Sequence, residues 1–218
     1  MPDYRQRFKS CGDKVVIDEN VFIEHPERLE VGDNVRFDRG FYMQDGPVVG
    51  RIGSNVRFYP NCFIQGAGGR FVIEDNVDFF PGTYISLGDA DSFIEIGHHS
   101  HFAPNCVLYG WGGLKIGPYC NIAAHCVFAT VGHDQLVHEG KRMCEVSAVR
   151  GPITLVEDVW LCAHVTVTAN TTIAKGCIIG ANAVVTRDTE PMGLYVGVPA
   201  RRLRDRLAAS SGGSPGAR

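Results

Sequence analysis

The sequence has no apolar run approaching the ~20 residues that span a bilayer, so a membrane-spanning helix is not expected. It has no Cys-x-x-Cys pair and no Cys/His zinc spacing, although it holds 8 cysteines. It lacks an excess of charge of either sign. The 21 basic and 24 acidic residues leave a net charge of −3, which gives a polyanion such as nucleic acid nothing to bind. The opening stretch MPDYRQRFKS has no apolar core of a secretion signal, so the expected location is the cytoplasm. The Asn-Gly hairpin signal is missing too, which counts against a sandwich of short antiparallel strands. What these absences leave, at 218 residues and 44% hydrophobic content, is a single soluble domain with a substantial core.

What is present is a period. Residues 153–188 divide into six hexads, ITLVED, VWLCAH, VTVTAN, TTIAKG, CIIGAN and AVVTRD. The third place is always aliphatic (Leu155, Leu161, Val167, Ile173, Ile179, Val185), and the first is small or aliphatic. Six fits neither the 3.6-residue period of a helix nor the plain alternation of a long strand. It fits a short strand and a turn, repeated, with two inward side chains per strand and polar residues such as Asp158, Asn170 and Asn182 at the corners. Three flat faces close one coil of a triangular prism.

Upstream the same pattern is rougher. It begins near Val15 and becomes regular at LEVGDN, VRFDRG and FYMQDG. Short insertions at 47–49, 68–70, 89–93 and 112–113 each follow a third hexad, so one corner of the prism tolerates extra residues and two do not. Aromatics recur at Phe37, Phe58, Phe79 and Phe102, spaced for stacking from coil to coil. Cys62, Cys106, Cys120, Cys126 and Cys177 fall on the first, inward place of a hexad, where a thiol is a small hydrophobe. The expected organisation is a lead-in over 1–14, repeats over 15–188, a C-terminal segment over 189–208 with a short helix starting near Arg201, and a disordered tail over 209–218. One long polar excursion, 132–152, interrupts the repeats; a loop of that length on a rigid scaffold is usually functional.

The hexads IGPYCN, LVEDVW, IAKGCI and IIGAN, with VVTRD and GVPARRL after them, resemble the hexapeptide-repeat acyltransferases. The likeness is greatest to the branch that holds the maltose and galactoside O-acetyltransferases and the acetyltransferases of polysaccharide biosynthesis. It is close over 114–203 and rests on the repeat alone over 15–113. The start of the chain departs from the maltose-type enzymes, whose helical first segment carries an acceptor-binding acid. The resemblance implies an all-β fold, a left-handed parallel β-helix. It also implies a homotrimer with active sites between subunits, acetyl-CoA as cosubstrate and no metal.

The same resemblance implies the site. His133, in ATVGHD, stands where the family has its general base. A sugar hydroxyl is too weak an acid to attack a thioester unless its proton is removed, and an imidazole suits that task. Asn105 aligns near a family asparagine that contacts the reacting groups, and it is the candidate donor to the developing oxyanion. Residues 160–204 align without gaps and place Trp160, Ala163, Ala181, Thr186, Arg187, Arg201 and Arg204 along acetyl-CoA. The small residues would admit the pantetheine arm, and the arginines would meet phosphates with their forked donors.

His98, His99, His101, His125 and His164 fall at corners or outer faces and read as structural. The expected function is O-acetylation of a sugar hydroxyl in surface-polysaccharide or glycoconjugate biosynthesis. N-acetylation of an amino sugar or nucleotide-sugar is the nearest alternative. A zinc enzyme like the γ-type carbonic anhydrases, using His133 and His138, and a non-catalytic scaffold subunit are more distant ones.

Overall fold

The structure, a computed structural model, describes residues 4–134 and 140–206. Each hexad supplies one short strand, and every third strand falls in the same sheet. The first sheet runs from Ser10–Cys11 to Thr171–Ile173 through 8 strands. The second starts at Val16–Ile17 and holds 10, and the third runs from Phe22–Ile23 to Val184–Val185 with 8. Along all three, a strand pairs in parallel with its equivalents one coil before and after, as Phe79 does with Phe58 and Phe102. The result is a three-sided parallel β-helix. Among the described residues the only helical pieces are 3-10 turns at Tyr4–Gln6, Pro26–Arg28 and Met143–Glu145.

The hexad places translate directly into burial. Ile153, Leu155, Val159, Leu161, Val165, Val167, Thr171, Ile173, Cys177, Ile179, Ala183 and Val185 are all buried, two per strand. The corners are built from left-handed backbone. Asn34, Asn55 and Asn76 stand at φ of 56°, 57° and 59° on successive coils, and asparagine tolerates that region better than other non-glycine residues. Their amides form a ladder, with Asn34 donating to Asn55 at 2.8 Å and Asn55 to Asn76 at 3.2 Å. At the next corner glycine alternates with asparagine. Gly82 has φ 75°, and a Cβ there would lie 2.3 Å from the Asn105 side-chain oxygen, which fills the space instead.

The phenylalanine stack is present as expected. Rings of Phe37, Phe58, Phe79 and Phe102 follow one another at 5.3, 4.9 and 5.0 Å, within 7° of parallel. The five inward cysteines are buried, and all eight are free thiols. Burial pushes the Cys62 thiol up to about 12 and that of Cys120 to about 11, so these groups behave as apolar filling. The thiol of Cys126 is raised as well, by its hydrogen bond with Cys106 and then by burial.

Three expectations change in detail. The insertions do collect at one corner, between the third sheet and the first, but part of the first two extends a strand: Val48–Ile52 and Gly69–Ile73 have 5 residues each. Ser10–Cys11, within the lead-in, already pairs with Leu29–Val31 as the first rung of the first sheet. The short helix near Arg201 is not there. Arg201–Asp205 is a strand, antiparallel to Gly193–Val196, and the hairpin extends the second sheet beyond Ile178–Ile179. A strand wins because an exposed sheet edge at the end of the coil offers unpaired backbone groups that a lone helical turn would leave unsatisfied. The tail over 209–218 lies outside the described residues.

Candidate active site

The excursion leaves from the tolerant corner. Ile153 pairs with Leu114 before it and Thr171 after it, so the coil closes as though the loop were spliced out. At its base, Val131–His133 and Ala148–Arg150 form a two-stranded antiparallel ribbon, with Val131 opposite Arg150 and His133 opposite Ala148. The neck is closed by Gly151 N–H donating to the Thr130 carbonyl at 3.0 Å.

His133 is exposed on this ribbon, and its Nδ1 lies 3.3 Å from the Val146 carbonyl oxygen. A carbonyl only accepts, so Nδ1 carries the proton and Nε2 of the neutral ring is the nitrogen that holds the lone pair. A hollow of 190 Å³ opens beside the ribbon among Asp134, Lys141, Val146, Ser147 and Val149. Larger hollows of 430 and 540 Å³ lie on the outer face of the first sheet, away from His133. His138 lies outside the described residues. Among the described residues no three metal-ligating side chains gather.

The remaining site residues divide between two edges and one end of the prism. Asn105 sits at the corner between the second and third sheets, at φ 61°, with its side-chain oxygen turned over Gly82. Ala163 and Ala181 occupy the same corner on later coils, beside a stacked pair of imidazoles, His125 and His164, 4.7 Å apart. Trp160 is in the second sheet, 45% exposed on its outer face, and so is no core residue.

Thr186 and Arg187 follow the strand Val184–Val185 and return to the corner from which the His133 ribbon leaves. Arg201 and Arg204 lie on the C-terminal strand Arg201–Asp205. Within one chain, therefore, His133 shares an edge with Thr186 and Arg187 and stands at a different edge from Asn105, Ala163 and Ala181.

The arginines are not equivalent. Arg202 is engaged by Asp205 at 2.7 Å and Glu190 at 3.3 Å, and Arg206 by Asp158 at 2.8 Å. Arg201 and Arg204 donate only to the backbone carbonyls of Ala200 and Asp205, and among the described residues neither they nor Arg187 has a carboxylate partner. The sequence carries no signal for this difference, since paired and unpaired arginines alternate in one stretch. His98, His99 and Tyr119 form a separate aromatic cluster at the corner between the first and second sheets, with the two Nδ1 atoms 2.9 Å apart.

Known proteins give this arrangement a context. No family model matches the chain. The galactoside O-acetyltransferase of Escherichia coli K12 is 31% identical over 122 residues, 56% of this chain and 57% of that protein. The chain thus spans about half the length of the curated relatives it matches. The solved structure of the polysialic acid O-acetyltransferase OatWY aligns over 95% of this chain and 94% of its own, at TM-score 0.59 and 16% identity. A mutant of AntD, an N-acyltransferase from Bacillus cereus, solved with dTDP and coenzyme A, aligns over 93% and 87%, at TM-score 0.51 and 21% identity. The fold is the one these acyltransferases share, and the resemblance to hexapeptide-repeat acetyltransferases is borne out.

Proposed function

We propose that the protein transfers an acetyl group from acetyl-CoA to a sugar hydroxyl, with His133 as general base. The observation that carries this reading is the His133 ring. It is exposed on a hydrogen-bonded ribbon, and the Val146 carbonyl selects the tautomer whose Nε2 accepts a proton. In the step proposed, Nε2 takes the hydroxyl proton as the oxygen attacks the thioester carbonyl. The C–S bond then breaks, and the imidazolium returns the proton to the departing CoA thiolate. Asn105 is the proposed oxyanion donor, and Trp160, Ala163 and Ala181 the walls for the pantetheine arm. Thr186, Arg187, Arg201 and Arg204 would take the nucleotide end; among the described residues Arg201 and Arg204 have no carboxylate partner, which leaves their guanidinium forks available to phosphate.

Because His133 and the Asn105 edge lie apart in one chain, the complete site needs a second copy, and a homotrimer with sites between subunits satisfies this. A sugar hydroxyl is favoured over an amine because the likeness to a galactoside O-acetyltransferase reaches 31% identity over 122 residues. N-acetylation of an amino sugar uses the same base and cosubstrate. The direct test is calorimetry with acetyl-CoA on the wild type and on an Arg201→Ala/Arg204→Ala double variant, with thiol release scored over a panel of sugars and nucleotide-sugars. Saturable binding that weakens on the order of tenfold in the double variant supports the cofactor assignment. No binding by the wild type would end it.

A further inference from the structure

The two insertions that precede the excursion have a use that a tolerant corner does not require. The first, around residues 88–92, folds into a closed acidic loop. Ser92 Oγ accepts from the backbone N–H groups of Gly88 and Asp89, each at 3.0 Å. It also lies 3.2 Å from Asp89 Oδ1, to which it donates, and the Asp91 N–H donates to the same oxygen at 3.2 Å. With Oδ1 so occupied, Oδ2 faces outward and accepts from Arg150 Nη1 at 2.6 Å, across 61 residues of sequence.

Trp111 stands immediately before the second insertion. Its indole lies directly on Gly88, where a Cβ would come within 2.6 Å of the ring, and its N–H donates to Ser86 Oγ at 3.0 Å. The Arg150 guanidinium stands 5.4 Å from the ring centroid, a cation–π distance. Gly112, next to it, packs on the loop's neck, so that a Cβ there would lie 2.5 Å from the Thr130 carbonyl and 2.6 Å from Gly151.

Arg150 is the residue opposite Val131 in the ribbon, and His133 is two residues further along. We propose that Asp89 and Trp111 form a socket that clasps Arg150 and thereby positions the ribbon that carries His133. Asp89, Trp111 and Arg150 are positioning residues, acting on the reaction only through His133. The proposal rests on the reading of His133 as base for its effect on turnover, and on the ribbon geometry alone for its effect on order. The physical case is that a two-stranded ribbon by itself is marginal in water. A charge-assisted pair and an aromatic platform at its root fix the direction in which it projects, and small misplacements of a base are costly.

The test uses full-length protein with Asp89→Asn, Arg150→Gln and Asp89→Glu, and two readouts. Amide exchange at 131–133 and 148–150 reports ribbon order. In Asp89→Asn and Arg150→Gln it should speed up about fivefold, while core-strand amides stay unchanged. Steady-state kinetics should show kcat lowered on the order of 10-fold, with KM for acetyl-CoA unchanged. Asp89→Glu should recover most of both. Unchanged ribbon exchange in Asp89→Asn and Arg150→Gln overturns the clasp, whatever the activity does. Faster ribbon exchange with undiminished kcat retains the fastening and overturns the positioning role. If wild-type protein neither binds nor cleaves acetyl-CoA, the functional reading has failed, and the exchange result still decides the clasp.

Discussion

Replacing His133 by glutamine separates its two capacities. Glutamine carries an N–H donor for the Val146 carbonyl but cannot accept a proton near neutral pH. The structural cost is bounded by what His133 touches. The ring is exposed and among the described residues makes one hydrogen bond, at 3.3 Å, whose loss puts no more than ~1 kcal/mol of stability at stake. The catalytic cost is of another order. General-base assistance contributes 10²–10⁴-fold, roughly 3–5 kcal/mol of barrier. His133→Gln should therefore melt with the wild type, bind acetyl-CoA as the wild type does, and release thiol from it 10²–10⁴-fold more slowly. The assay is colorimetric thiol release at saturating acetyl-CoA with the acceptor found by screening, beside a urea or thermal unfolding curve on the same sample. Wild-type turnover in His133→Gln would refute the base assignment. Loss of turnover accompanied by a large drop in stability would refute the argument that the ribbon histidine carries no structural weight.

Phe79→Ala should destabilise the fold by about 3–5 kcal/mol, because the ring is fully buried and stacked on both faces, read from the urea midpoint. The Arg150 hydrogen bond holds the Asp89 carboxyl below its ordinary value of 3.8. A lowered folded-state value means the pair's contribution is present above the unfolded-state value and is lost as pH falls through the folded one. Ribbon exchange, corrected for intrinsic rates, should accordingly rise below about pH 4 in the wild type and show no such step in Asp89→Asn. Among the eight thiols, maleimide at about pH 8 should label the exposed Cys144 first. Cys62 and Cys120, raised to about 12 and about 11, should label only on unfolding, and early modification of either would contradict the packing described for the coil interior.

The coil was legible because each of its determinants is local and repeated. Whether Leu161 faces inward depends on its place in a six-residue pattern, and so does the position of Asn182 at a corner. Errors at one hexad are corrected by its neighbours, which is why the phenylalanine stack and the inward cysteines could be placed from spacing. The C-terminal strand could not, because Arg201–Asp205 is extended by pairing with Gly193–Val196, and nothing in RRLRD itself favours strand over helix.

The site obeys the second kind of logic more than the first. Asp89, Trp111 and Arg150 lie on three different segments, and each is unremarkable alone: an acid in a short insertion, an aromatic between glycines, a base at the end of a loop. What assembles them is the stacking of coils, which sets the insertions of successive turns one above another at a single corner and lets the next turn's excursion rest on both. The regular spacing of those insertions was visible in the sequence as tolerance. In the folded chain the same spacing makes a column, and a column of insertions beneath a long loop is a support. Insertions stacked under a functional loop in a repeat protein are therefore candidates for positioning that loop, before they are set aside as slack.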